Sequence, residues 1–366
     1  MKQSLLLVTR DQFGYHVDPY AYARELTRHA AVTYFCWDYD RPRVEVPGVR
    51  VIYSSREGNV AARNLRFLRE LLELVGEFDQ SLLFYFPGVS LVHGWAEQRR
   101  LICDVRTGNV GGSAVRRWLF DRLLSLEMRT FRNRSFISEG LGRRFGFDHF
   151  NVLPLGASVT PLVPRDYRAF QLLYVGTFSS RRMEEAVRGF GLFRAEMDPD
   201  FSCHFTLIGS GTPAEEQRLR ETVAEADMAG AVTFTGYVQR EQLTAYFQAA
   251  NIGVSYVPIT PYFDHQPVTK TYEYLLAGLP VIGTATSGQH SVITPENGVL
   301  IQDDPAAFAA GLHQLYHHRH GFSGTAIQQE ALRYTYRNIV DHRLVPYLLR
   351  TAPRPQPAAL AETLNP

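Results

Sequence analysis

Short apolar runs punctuate the chain, and the stretches between them repeat apolar residues at helical spacing. In the first half the runs are "SLLLVTR", "VTYFCW", "VRVIYSS", "SLLFYFPG" and "LICDVRTG", with helical patterns over Tyr20 to Arg28 and from about Asn59 to Val75. Strand, helix, strand in that order is the βαβ signature. An amphipathic stretch from Val115 to Phe131 and the short runs "RSFIS" and "NVLPLG" complete this half.

The same grammar restarts after the Pro-bearing segment "TPLVPRDYRAF", which marks a domain boundary. The later runs are "QLLYVG", "CHFTLIG", "VTFTG", "NIGVSYVP", "PVIGT" and "GVLI". Helical patterns separate them near Met183 to Met197, Pro213 to Ala226, Arg240 to Ala249, Thr269 to Ala277 and Ala306 to Tyr316. Runs this uniformly apolar suit parallel strands covered on both faces. The expectation is α/β, two Rossmann-like doubly wound domains facing a central cleft: residues 1–160 and residues 161–324. Residues 325–350 form a further helical stretch able to pack back on the first domain. The Pro/Ala-rich tail 351–366 lacks a core-forming pattern and is expected to be disordered.

Composition narrows the chemistry. A length of 366 residues, 45% hydrophobic and 20% charged, supports two globular cores, and a formal net charge of +1 argues against a partner held by phosphate neutralisation, so no nucleic acid is expected. Arg99-Arg100 and Arg116-Arg117 read first as solvated helix faces, with an anionic membrane surface as the other reading. Cys36, Cys103 and Cys203 lie far apart in apolar runs and read as buried thiols of a reducing compartment. The N-terminal apolar run is too short for a secretion signal or a membrane span, so the expected location is cytoplasmic, with peripheral contact at the inner face of the membrane. Neither G-x-G-x-x-G after the first strand nor a P-loop is present, which removes the main support for dinucleotide and P-loop readings.

The stretch "TKTYEYLLAGLPVIGT" carries more chemistry than a covering helix needs. With Thr269 at or near the N-cap, the helix runs from Lys270 to about Ala277 and stops at Gly278 and Pro280. Its first-turn amides and the Lys270 charge suit a diphosphate. The Glu273 carboxylate suits a ribose diol, since it accepts two hydrogen bonds. Glu273 also lies one residue too far from Thr269 for a reciprocal capping box.

On these residues the second half resembles the nucleotide-sugar-binding domain of GT-B glycosyltransferases, most similar to glycosyltransferase family 4. The matching pieces, in the family's order, are "LLYVGTF", "FTLIGSG", "VTFTGYVQREQLTAYFQAANIGVSYVP" and "KTYEYLLAGLPVIGT". The resemblance implies that Glu273 binds the ribose, Lys270 (with Thr269) the diphosphate, and Gly236, Tyr237 and Val238 the base. Thr177, where the family commonly has an arginine, and Gly209 and Gly211 would line the donor. Arg181 or Arg182 would supply the displaced charge. The family's first glutamate falls on His265, beside Asp264, which makes His265 a catalytic candidate together with Lys270.

In the first half, where the resemblance implies acceptor-side groups at strand ends and in a Gly-containing loop after the first strand, that loop reads "TRDQFGYHVDP", with Asp11, Gly14, His16 and Asp18 available, and "LICDVRTG" places Asp104 and Arg106 near a strand's carboxyl end. Asp104 is the first catalytic candidate there, its other reading being a satisfied strand-end aspartate. Tyr20, Tyr22, Phe67, Arg63 and Arg66 face either a lipid-linked acceptor or the core. His93, His317, His318 and His320 lack ligand spacing and read as structural or solvated. "DYD" (Asp38 to Asp40) and "DPD" (Asp198 to Asp200) imitate a metal motif, but helix dipole and basic residues supply the charge a metal would, so neither metal nor cofactor is expected.

The function implied is transfer of a sugar from a UDP- or GDP-linked donor to a hydroxyl of a sugar or lipid-linked acceptor, retaining and metal-independent, in polysaccharide, lipopolysaccharide or glycolipid assembly. The alternatives are a nucleotide-sugar epimerase of the same architecture and a non-catalytic nucleotide-sugar-binding protein.

Overall fold

The computed structural model describes residues 2–108 and 113–351. Its contacts divide the chain into two units: one runs to Phe136 and takes in His149–Val152 and the chain from Val340, the other holds Ile137–Asp148 and Leu153–Ile339.

The first unit is built on a seven-stranded sheet, parallel throughout: β1 (Ser4–Val8), β2 (Ala31–Trp37), β3 (Val49–Ser54), β4 (Gln80–Phe84), β5 (Leu101–Val105), β6 (Asn133–Phe136) and β7 (Asn151–Val152). The order is β3-β2-β1-β4-β5-β6-β7. The largely apolar sequences of β1, β4 and β5 go with burial along nearly all of each strand, Gln80, Ser81 and Asp104 included, whereas the edge strand β3 keeps partly exposed positions. The order reverses between β1 and β4, so the loops leaving those two strands diverge and open a crevice at their carboxyl ends.

The expected helical stretch 325–350 is broken, and its second part belongs to this first unit. Gly324–Ala331 is a helix, after which Thr335 turns extended and restarts the chain by accepting a hydrogen bond from Asn338 N at 3.3 Å. Val340–Leu344 widens into a π turn just before Pro346, whose missing N–H cannot continue the α ladder. Val345–Thr351 then docks on the first sheet: Gln80 Nε2 donates to Leu348 O (2.8 Å) and the Tyr347 hydroxyl to Arg134 O (3.1 Å).

The second unit has six parallel strands, β8 (Phe170–Val175), β9 (Cys203–Ile208), β10 (Val232–Gly236), β11 (Ile252–Ser255), β12 (Val281–Thr284) and β13 (Gly298–Ile301), in the order β10-β9-β8-β11-β12-β13. Its core is dense in aromatic rings, among them Phe170, Phe190, Phe193, Phe205 and Phe308, all fully buried. Here the strand order reverses between β8 and β11.

The expected boundary at 160/161 falls inside this second unit. Ala157 bridges Thr335, Thr160 N donates to Leu276 O, and Arg165 gives its guanidinium hydrogens to the carbonyls of Phe247, Gln248, Ala250 and Ala277. The Pro-bearing segment is thus fastened down rather than left as a linker. The tail beyond Thr351 lies outside the described residues. Among the described residues, no helix is long and apolar enough to cross a membrane.

Candidate functional site

Of the donor residues expected from the sequence, Thr177, Gly209 and Gly236 lie on loops that meet at the carboxyl ends of β8, β9 and β10. Gly176 N donates to Ile208 O, Phe178 N to Ser210 O, and Gly209 N to Gly236 O, each at 2.9 Å, which laces the three loops together. Gly209 has φ +140°, and a Cβ there would sit 1.8 Å from Gly176 O, so no other residue lets these backbones approach. Thr177 Oγ1 bonds Ser210 O (3.2 Å) and accepts from Ser179 N (3.1 Å); the side chain is loop-forming and exposed. Gly211 N donates to Glu216 Oε1 (3.1 Å). Tyr237, with Val238 beside it, stands at the end of β10 with 81% of its surface exposed.

The helix of the opening motif spans Thr269–Leu276, and its N-cap is Val268 rather than Thr269. An apolar cap has no oxygen to offer, so no side chain closes the first-turn amides. Lys270 Nζ lies 2.5 Å from Glu273 Oε2, and both side chains are about a quarter exposed or less. The two groups assigned to diphosphate and ribose are therefore each other's partner here. At the far end Gly278 (φ +69°) and Leu279 close a Schellman turn, Leu279 N donating to Tyr274 O and Gly278 N to Leu275 O. The buried Tyr274 hydroxyl accepts from Val175 N at 2.9 Å and fixes the helix to the end of β8.

Arg181 and Arg182 separate cleanly. Arg182, held at φ +52°, pairs with Asp303 (3.4 Å) and Glu185 (3.6 Å). Arg181 makes no ion pair among the described residues, and its guanidinium lies 4.5 Å from the Phe263 ring centroid. Phe263 leads into Asp264 and His265. Asp264 accepts from the Ser287 amide (2.8 Å) and hydroxyl (2.7 Å), which hold its carboxyl below its ordinary range against the opposing effect of burial. His265 is partly exposed; its ring faces Gly140, where a Cβ would come within 2.7 Å of Nδ1, and its carbonyl accepts from Ser138 Oγ (2.8 Å).

A residue that the sequence reading passed over organises this region. Glu215 accepts from Thr212 N and Oγ1 as a capping box, and also from Ser180 N (2.9 Å) and Ser179 Oγ (3.1 Å). It therefore pins the loop that carries Arg181. The bond from Ser180 N is the chief cause of a Glu215 pKa pulled down to about 2. The signal was present in the sequence as Thr212-x-x-Glu215.

In the first unit a cavity of about 560 Å³ opens at the β1/β4 reversal. Arg10, Asp11 and His16 border it, with Arg106, Arg116 and the rings of Phe86 and Phe120. Asp11 and His16 are paired at 2.9 Å, and that bond is the main cause of a lowered Asp11 pKa. Gly14 stands outside the lining; its φ of +93° and its close approach to Val44 make it a turn residue.

Asp104 is not among the lining groups. It is fully buried, accepting from Ser135 Oγ at 2.5 Å and meeting Arg106 at 3.5 Å, and burial raises its pKa although Arg106 opposes the rise. Asp18 is likewise buried and pairs with Arg106 at 2.6 Å. The two aspartates hold Arg106, which alone of the three reaches the cavity. Tyr22 and Phe67 are core residues with no exposed surface, and Arg66 is spent on the carbonyls of Ser55 and Glu57, so these three do not offer themselves to a lipid. His93 bonds Thr130 and packs on Phe131; His318 closes onto Gln314 O. Asp38 pairs with Arg43, and Asp198 accepts from Asp200 N in a turn.

Residues 169–318, all within the second unit, match the family of glycosyl transferases group 1. Both parallel-sheet units together have the fold of GT-B glycosyltransferases. The chain superposes on sucrose-phosphate synthase from Thermosynechococcus elongatus with a TM-score of 0.72 at 18% identity, covering 95% of this chain and 98% of that one. It superposes on the Anabaena protein HepE in complex with UDP and glucose with a TM-score of 0.71 at 12% identity, covering 95% and 100%. In sequence it is 23% identical over 257 residues to a D-inositol 3-phosphate glycosyltransferase of Pseudarthrobacter chlorophenolicus; the match takes in 66% of this chain and spans 60% of that relative's length.

Proposed function

We propose that the protein transfers a sugar from a nucleoside diphosphate, UDP being the first choice, to a hydroxyl of an acceptor. The observation that carries this reading is the uncapped helix Thr269–Leu276 with Lys270 and Glu273 on its first turns, fixed to β8 through Tyr274 inside the segment that matches the family. UDP is favoured because a protein of similar fold was solved with UDP and glucose.

As the glycosidic bond breaks, negative charge grows on the β-phosphate. Lys270, Arg181 and the helix amides are the groups placed to stabilise it, a contribution of about 3 kcal/mol for each well-aimed donor in comparable anion holes. Glu273 then takes the ribose diol, and Gly236, Tyr237 and Val238 the base. With that positive charge supplied by the chain, we assign no metal to the reaction. We assign retention at the anomeric carbon, and a role at the cytoplasmic face of the membrane in polysaccharide, lipopolysaccharide or glycolipid assembly.

Thermal unfolding with UDP, GDP, ADP and NAD tests the donor assignment, since a ligand at about 100 times its dissociation constant stabilises the fold by ~2.7 kcal/mol. Stabilisation by UDP supports the proposal and names the base. A response to NAD alone, or to none of the four, refutes it.

A further inference from the structure

At the carboxyl ends of β1, β2 and β3 three arginines surround one tryptophan. The guanidinium carbons of Arg10, Arg56 and Arg63 lie 4.8, 5.6 and 5.9 Å from the Trp37 ring centroid. Arg10 follows β1, Arg56 follows β3, and Arg63 stands near the start of the helix Val60–Val75. Arg10 also lies over Phe86 (4.6 Å) and Arg56 over Tyr39 (3.8 Å).

Among the described residues, none of the three makes an ion pair. Each has a buried Nε without a hydrogen-bond partner, and so does Trp37 Nε1, on a residue only 7% exposed. The nearby carboxylates are committed elsewhere. Glu127 accepts from the Tyr85 hydroxyl, Gly88 N and Ser90 Oγ; Asp38 holds Arg43; Asp11 holds His16. Burial lowers the Arg10 pKa; Tyr39, Glu127 and Tyr85 oppose the fall, and Arg63 adds to it.

Stacking on aromatic faces places these cations but does not neutralise them. Like charges gathered with idle donors, with the already bonded Glu127 carboxylate as the acid acting on Arg10, cost the fold stability, and a compact anion accepting several of those hydrogens removes the cost. Planar guanidinium forks match a phosphate's oxygens in particular.

We propose that Arg10, Arg56, Arg63 and Trp37 Nε1 form a binding site for a phosphomonoester. Arg10 borders the cavity at the β1/β4 reversal as well, so a phosphate held here extends its organic part into that cavity, against Phe86 and Phe120. The occupant is then the phosphate of the acceptor. That last step rests on the transfer reading; the anion site itself does not.

The test follows unfolding and binding of the full chain with inorganic phosphate and glycerol 3-phosphate, chloride holding the ionic strength constant. Phosphate should raise the melting temperature where chloride does not. Arg56→Gln and Arg63→Gln should each weaken phosphate binding by roughly tenfold. Without phosphate, both should melt higher than the wild type, a gain that a merely structural arginine does not give. Arg69→Gln, on the same helix but exposed and paired with Glu73, should leave phosphate binding unchanged.

Vesicles of phosphatidic acid against phosphatidylcholine separate a lipid source of the phosphate from a soluble one, and binding in either arm supports the site. Equal phosphate affinity in wild type and both glutamine variants, or no response beyond chloride, overturns it. A phosphate response retained while UDP has no effect would sink the transfer reading and leave this site standing.

Discussion

Lys270 and Glu273 form an ion pair of 2.5 Å on the first turns of the helix Thr269–Leu276. An i,i+3 pair at a partly exposed helix start contributes about 0.3 to 0.5 kcal/mol, too little to account for two charged residues placed beside uncapped amides. On the proposed function, the pair is a resting state in which each group holds the other until a donor replaces the bond, Lys270 turning to the diphosphate and Glu273 to the ribose.

Glu273→Gln and Lys270→Met are therefore expected to change the melting temperature of the free protein little. Each should weaken UDP binding by about 10- to 100-fold, the range for a lost hydrogen bond to a charged group. Isothermal titration with UDP, set beside thermal unfolding, reads both quantities. A large loss of stability with unchanged UDP affinity would reassign the pair to the fold.

The arginines that the sequence could not separate give a contrast. Among the described residues Arg181 has no carboxylate partner and lies over Phe263, whereas Arg182 is bound by Asp303 and Glu185. Arg181→Gln should therefore reduce UDP affinity about tenfold, and Arg182→Gln by less than about threefold. The same titration decides, and the reverse order would move the diphosphate contact to Arg182.

The succession of strands and helices along the chain was legible because its signals are local: largely apolar runs, and Gly278 with Pro280 closing the helix Thr269–Leu276. What was not legible depends on three-dimensional pairing. Asp104 has the sequence of an accessible strand-end acid, and only the register that sets β5 beside β6 shows Ser135 and Arg106 enclosing it. Tyr22 and Phe67 have helical spacing that suits a core or a ligand equally, and burial decides for the core. The domain break was misplaced because a proline-bearing stretch looks like a linker, while the bonds that fasten it come from Arg165 to carbonyls about eighty residues and more away. Trp37, Arg56 and Arg63 carry no motif; their meeting around one ring follows from three strands ending side by side.

The buried group Asp18, Arg106 and Asp104 yields a stability prediction. Asp18 makes the shorter contact with Arg106, 2.6 Å against 3.5 Å, so Asp18→Ala leaves a buried guanidinium poorly matched and should cost about 3 kcal/mol. Asp104→Asn keeps an oxygen for Ser135, and burial already favours the neutral form of this carboxyl, so its cost should be under about 1 kcal/mol. Urea midpoints compare the two. Equal losses would make Asp104 the main counter-ion of Arg106.

Glu215 gives the pH dependence. Its carboxylate accepts from Ser180 N, Thr212 N and two hydroxyls, and these bonds hold its pKa down to about 2 from an ordinary 4.5. A depressed folded-state pKa means that the unfolded chain binds the proton first. The contribution of Glu215 is thus fully present above about pH 4.5 and is lost as pH falls from there through about 2. Glu215→Gln should be less stable than the wild type at neutral pH and should lose less stability across that window. Because the same carboxylate pins Ser179 and Ser180, the loop bearing Arg181 should loosen in the variant, and its UDP affinity at pH 7 should fall below that of the wild type. Denaturant unfolding at pH 7, 4.5 and 2.5, with UDP titration at pH 7, checks both; parallel pH profiles for variant and wild type would show that these bonds do not bias the proton.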